Sequence, residues 1–280
     1  MKQTFCRGRY IAALALCATW AVPAWAKKCP SDSVQVGPAC VDTYEASVWQ
    51  IAPSNVGLVN LVKKGKATLA DLTGGGATQL SPSPSCAPGF PANFPAGGQW
   101  TPVLGSSPPS PGVYALSIPG VPPSACIDWF QAAQACRVSG KRLATNLEWQ
   151  DAAAGTPDPG NTPGANDCNT NSGGPSNTGS RTNCKSSWGV FDMVGNVDEW
   201  VADWADRNNT GCTDWTTAVG LAGGDFSCFG GNGSGASNQV PGALIRGGDW
   251  GVVTFAGVFA VFAGGDPSLS DAPIGFRCAR

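Results

Sequence analysis

WGVFDMVGNVDEWVADW (188–204) and IGFRCAR (274–280) are the stretches whose reading decides the fold. They belong to a C-terminal part in which aromatic-rich segments alternate with turns. Upstream lie two helical patterns. In SACIDWFQAAQACRVSGK (124–141), Ser124 is read as the cap, Trp129, Ala133 and Cys136 fall on one face, and Gly140 is a stop signal. In RLATNLEWQDAAAG (142–155), Thr145 and Glu148 have capping-box spacing, Trp149, Ala152 and Ala153 form an apolar stripe, and Gly155 ends it. Near the start, CPSDSVQVGPACVDTYEASVW (29–49) predicts a strand pair turning at Gly37-Pro38. Between them, roughly 50–122 yields only short strands, and 81–98 and 155–167 are Gly/Pro/Ser-rich surface loops. Two helices among short strands and many loops make an α+β domain.

Composition sets the compartment and removes several chemistries. Lys2, Arg7 and Arg9 precede the apolar run IAALALCATWAV, and AWA ending at Ala26 has the form of a cleavage site. Residues 1–26 are therefore read as a signal peptide, 27–280 as one domain, and the protein as exported. The apolar run is too short and too early for a membrane span, so none is expected in the mature chain. Lipid attachment at Cys17 is the weaker reading, because Leu16 is a poor residue before a lipidated Cys. Cleavage removes Cys6 and Cys17 and leaves 12 − 2 = 10 cysteines. An even number in an exported chain argues for disulfides. There is no CxxC pair and no His, which excludes imidazole bases, Ser/His triads and His-ligated metals. The net charge of −2 gives no footprint for nucleic acid.

ACIDWFQAAQACRVSGKRLATNLEWQDAAAG, WGVFDMVGNVDEWVADW and IRGGDW…IGFRCAR together resemble the formylglycine-generating enzyme family, or sulfatase-modifying factor domain, over roughly 30–50 and 124–280. The resemblance implies a C-type-lectin-like fold: compact, loop-rich and disulfide-stapled. The family's oxidase chemistry uses two cysteines, one of them copper-binding, whose places fall here at Val252 and Gly257. Neither has a sulfur, so neither copper nor catalysis is expected. The resemblance also implies a Cys136–Cys278 bridge. Sequence proximity adds Cys29–Cys40, Cys168–Cys184 and Cys212–Cys228, leaving Cys86–Cys126.

In the family, the positions of FDMVGNVDEW hold Ca²⁺. The ligands implied here are the Asp192 side chain, the carbonyls of Gly195 and Val197, and the Glu199 carboxylate. The alternative is a tight loop whose acids cap backbone N–H groups. A second family calcium site needs an acid in the preceding loop, which reads NTNSGGPSNTGS and has none. Asp198 stands where the family has an aromatic and is read as a solvated side chain. The EPN, QPD and WND motifs of sugar-binding lectins are absent, and Trp129, Trp149, Trp188, Trp200 and Trp250 are read as core.

The implied fold is that of the variable proteins of diversity-generating retroelements, in which adenine-directed mutagenesis rewrites AAC-rich codons inside a fixed frame. Randomising the first two bases of AAC never yields Lys, Glu, Gln, Trp or Met, and Gly251 to Phe276 contains none of them. Trp250, Ala256, Gly257, Phe259, Ala260, Pro267, Ser268, Ile274, Gly275 and Phe276 resemble the frame. The resemblance implies a variable segment at 246–280. In it, Gly251, Val252, Val253, Phe255, Phe262, Gly264, Gly265, Asp266, Leu269, Asp271, Ala272 and Pro273 line a diversifiable binding face for a protein or cell-surface ligand. The alternative is a formylglycine-generating-type oxidase homologue, as an inactive relic rather than an active enzyme.

Overall fold

A computed structural model describes residues 28–80, 112–205, 227–228 and 241–280. The expected hairpin is β1 (Ser33–Val36) and β2 (Ala39–Asp42), with Gly37 at φ +55 in the turn and Cys29 bonded to Cys40. On its other edge, β2 pairs with β12 (Cys278–Ala279), which pairs in turn with β6 (Arg142–Leu143). The two ends of the domain thus share one sheet.

The second sheet has β3 (Ser47–Ile51) between β4 (Thr78–Leu80) and β5 (Gly112–Leu116). Between β3 and β4 run two helices that the sequence reading missed, α1 (Val56–Lys63) and α2 (Leu69–Gly74). Side chains make their starts: Asn55 accepts from the Leu58 N–H, and Thr68 and Asp71 cap each other's backbone. They bury only Leu58, Val62 and Leu72, and although α1 has Leu58, Leu61 and Val62 at helical spacing, two turns are too short to establish a period.

α3 (Trp129–Val138) and α4 (Asn146–Ala153) fall where expected. For α4 the Thr145–Glu148 box is formed. For α3 the cap is Asp128, whose carboxylate accepts from the Gln131 N–H at 2.7 Å, and not Ser124. Ser124 is buried, accepting from the Val48 N–H and donating to the Leu80 carbonyl, so it ties the second sheet to the chain entering α3.

The third sheet carries the C-terminal segment. Its order is β11 (Ile274–Phe276), β7 (Asp198–Ala205), β9 (Gly242–Arg246), β10 (Val261–Gly265) and β8 (Ser227–Cys228). β11 runs parallel to β7, while β9 is antiparallel to both β7 and β10. Trp200 and Phe276 fill the core against α3; Trp149 and Met193 fill a second core beneath α4. Not every tryptophan is core: Trp188 is 47% exposed, and Trp129 and Trp250 are half-buried.

Three disulfides close the described residues. Cys136–Cys278 joins α3 to β12 across 142 residues and Cys168–Cys184 ties the loop before β7, both as expected. Cys126 is also disulfide-bonded. The Cys86–Cys126 and Cys212–Cys228 pairings and the signal peptide fall outside the described residues. These bridges mark a non-cytoplasmic protein. No helix among the described residues is long and apolar enough to cross a membrane.

Candidate ligand-binding face

The face begins where β9 ends. Gly247 and Gly248 take φ +91 and +78, and a Cβ on Gly248 would lie 2.6 Å from the Ala256 backbone. Only glycine permits that approach, which folds the segment back on itself. The Asp249 carboxylate accepts from the Gly251 N–H at 2.5 Å. Backbone bonds from Ser172 to Trp250 and from Val253 to Thr170 then fasten the turn to the preceding loop. A single 3-10 turn, Val253–Phe255, leads through buried Ala256 and Gly257 into β10. After β10, Asp266 and Asp271 cap the backbone of Ser268 and Ala272, and the chain enters β11.

Burial sorts the implied face. Gly251, Phe255, Leu269 and Asp271 are exposed, and Val252, Val253, Phe262, Gly264, Asp266, Ala272 and Pro273 are half-buried. Gly265 departs from the expectation. It is buried, and a Cβ there would press within 3.2 Å of Ile245 and 3.3 Å of the Trp200 ring. Of the frame, Ala256, Ala260, Ile274 and Phe276 are core, whereas Phe259 is 43% exposed.

Val252, Phe255 and Phe262 meet around an open pocket of about 320 Å³, completed by Asp198, Ile245, Arg246, Gly248, Ala260 and Val261. Its walls are mainly apolar. Arg246 lies 4.5 Å over the Trp149 ring and donates to Gln150 and to the Val258 carbonyl. Asp198 is not the solvated side chain expected from the sequence: it is half-buried and lines this pocket. Burial pushes its carboxyl well above the usual range, and Asp249, Glu199 and Asp271 add to the rise while the Gly248 N–H opposes it.

The places of the family's redox cysteines are held by Val252 and Gly257. Val252 packs half-buried against the Cys168–Cys184 bridge and Ala256, and Gly257 is buried with its N–H on the Gly247 carbonyl. Neither carries a thiol.

Behind the face lies a buried acid cluster. Glu199 accepts from Arg277 through both oxygens, at 2.5 and 2.7 Å, and from the Trp149 indole N–H at 2.8 Å. Asp192, at φ +59, accepts from the Gly179 N–H at 2.8 Å. Glu45, which the sequence reading missed, accepts from Asn196 and from the Val197 N–H. Burial raises Glu45 well above its usual range, with Asp192 and Glu199 adding to it; burial also pushes Asp192 up to about 6.

This arrangement does not fit the calcium site implied by Asp192, Gly195, Val197 and Glu199. A guanidinium already occupies the Glu199 carboxylate, and the Asp192 carboxylate caps a backbone N–H, as in the alternative reading. Only proximity in the fold could have shown the Glu45–Asn196 contact, since 151 residues separate the pair.

Comparison with known proteins agrees with the sequence signature. No curated protein matches the chain. Among solved structures, the Major Tropism Determinant I1 variant is 21% identical with a TM-score of 0.44, covering 89% of this chain and 52% of its own. The chain therefore spans about half the length of that protein. PvdO from Pseudomonas aeruginosa is 24% identical with a TM-score of 0.36, covering 57% of this chain and 63% of its own. The Treponema denticola variable protein 1 is 20% identical with a TM-score of 0.34, covering 67% and 77%. The model of the "Sulfatase-modifying factor enzyme 1-like domain" matches residues 30–280. With its C-type-lectin-like α+β fold, this chain belongs to that family.

Proposed function

We propose that this protein is an exported ligand-binding display protein, whose C-terminal segment is a diversifiable face on a formylglycine-generating-enzyme-like scaffold. The observation that carries the reading is the open apolar pocket formed by Val252, Phe255 and Phe262, where the family's chemistry would need a thiol at Val252. The exposed phenylalanine there is 56% accessible. Joined to the apolar walls of the pocket, it extends a contiguous apolar surface of the kind a partner covers. Val253 points the same way. It holds φ +59, a backbone state that β-branched residues resist and that Asn, the residue AAC encodes, tolerates. Local folding preference did not choose this residue. Three disulfides and the basic-apolar leader support export.

A pair of codon libraries tests the reading. One randomises Gly251, Val252, Val253, Phe255, Leu269 and Asp271 as NNC; the other randomises Ala256, Ala260, Ile274 and Phe276 in the same way. Most face-library members should fold, because surface changes usually shift stability by about 0.5 kcal/mol or less. Most frame-library members should not, since truncating a buried Phe costs about 3–5 kcal/mol. Selection of the face library against two unrelated proteins should return different residues at these positions. Equal loss of folding in both libraries would make the segment part of the core, and the display reading would fall.

A further inference from the structure

We propose that the cleft between the β1–β2 hairpin and the end of α1 binds an acidic polysaccharide. The cleft holds about 1070 Å³ and shares no lining residue with the pocket of Val252, Phe255 and Phe262. Lys28 lines it from the hairpin side, and Lys63, Lys64 and Lys66 from the turn that ends α1. Both walls are fixed. The Cys29–Cys40 bridge holds the first, and the Ser31 hydroxyl donates to the Gly65 carbonyl at 2.8 Å, tying it to the second. Gly65, at φ +62, lies so close to Asp32 that a Cβ would overlap its carboxylate.

The lining selects the occupant. All four lysines are exposed, and none forms an ion pair with another described residue. Arg280 also lines the cleft, but it is bonded to Asp32. Asp32 shares Lys141 with Asp42, so those four charges cancel. No Asp or Glu lines the cleft, and even a carboxylate at Arg280 would leave 4 − 1 = 3 positive charges in excess. The excess is local, because the chain as a whole carries −2. Carbonyls at the end of α1 favour Lys63 and Lys64 there, but give no reason for Lys28 or Lys66. Ammonium groups act as point charges on flexible stems, suited to the varied spacing of anions along a polymer. Ser31 and Gln35 add hydrogen-bonding groups for sugar hydroxyls. No aromatic, Leu, Ile, Val or Met side chain lines the cleft. It therefore lacks the apolar face that enters a membrane surface and the platforms on which nucleic-acid bases stack.

The full chain is titrated with a short dextran sulfate and with unsulfated dextran of the same length, followed through the backbone amide signals of Ser31, Gly65 and Gly140. Dextran sulfate should bind and dextran should not. Its affinity should fall about 50-fold between about 50 and about 200 mM salt, as four cations each release ~0.7 counterion. Lys28→Gln combined with Lys66→Gln should weaken binding by at least about tenfold and halve the salt slope, with the melting temperature unchanged. Lys185→Gln, at an exposed position outside the cleft, should leave binding unchanged. No binding of dextran sulfate, or equal losses from Lys66→Gln and Lys185→Gln, overturns the proposal. A lower melting temperature in the double variant with binding intact would make the lysines structural and overturn it too. Phosphatidylglycerol vesicles binding as tightly, at matched anionic groups, would assign the cleft to lipid headgroups; single-stranded DNA doing so would assign it to nucleic acid. Inorganic phosphate binding as tightly would reduce it to a simple anion site, and each of these three outcomes sinks the polysaccharide claim. The display reading is tested separately, since none of these variants alters the C-terminal face.

Discussion

At the scale of single residues, Val253 shows how the C-terminal segment differs from the rest of the chain. Other left-handed positions among the described residues hold Gly, the disulfide-bonded Cys126, or Asp192 and Asn196, whose side chains are hydrogen-bonded. Val253 has a branched Cβ in the same region and no polar atom to offset it. Relieving it should be worth about 1 kcal/mol, the usual cost of a non-glycine residue held there. Val253→Asn is therefore expected to raise the unfolding free energy by about that amount, seen as a higher urea midpoint at unchanged slope, and Val253→Gly to do likewise. A fall in both midpoints would show that the isopropyl group packs into the fold and is not a passenger on it. The neighbouring Phe255 is more than half accessible.

Among elements, the parallel pair β7–β11 organises the site. Glu199 on β7 lies opposite Gly275 on β11, and Arg277, just past β11, folds back onto the Glu199 carboxylate. This internal cation stands where the family resemblance implies calcium. Melting curves in Ca²⁺ and in chelator should accordingly coincide. Arg277→Met should cost about 3–5 kcal/mol by stranding a buried carboxylate, and adding Glu199→Leu should recover much of it. A calcium-dependent rise in melting temperature for the unaltered chain would overturn this account. The sequence made some of these elements legible and hid others for physical reasons. The β1–β2 turn and the α4 capping box are local chemistry, readable within a few residues. α1 and α2 are short and bury little, so tertiary packing, not periodicity, sustains them. The pocket residues Val252, Phe255 and Phe262 were legible through the frame that encloses them. Asp198 was placed at the right position with the wrong surroundings, because its neighbours Asp249 and Asp271 reach it only through the sheet.

For the whole molecule, buried acids set the response to pH. Burial pushes Asp42 and Asp192 up to about 6 from an ordinary value of 3.8, Asp42 rising even though it is ion-paired with Lys141. Between those limits the folded chain holds more protons than the unfolded one. Their contribution is complete below pH ~4 and is lost as pH rises through about 6. Asp32 acts oppositely: burial would raise it, but Lys141 and Arg280 hold it low, so its contribution disappears only in stronger acid. Melting temperature should therefore fall between about pH 4 and 6, and Asp192→Asn should flatten that slope. A melting temperature that climbs over this range would contradict the assignment. The strand order carries a further consequence. β9 and β11 lie on either side of β7, so the chain between Arg246 and Ile274 leaves and re-enters the same sheet across one intervening strand. Its two feet stand about 9–10 Å apart, two strand spacings, and the Cys136–Cys278 bridge pins the ground just beyond the second. Because the interval contains β10 and the buried Ala256 and Ala260, only its exposed turns, such as the one after β10, could take a foreign insert without disturbing the core. Lengthening that insert would cost little, because closure entropy grows only logarithmically with its length.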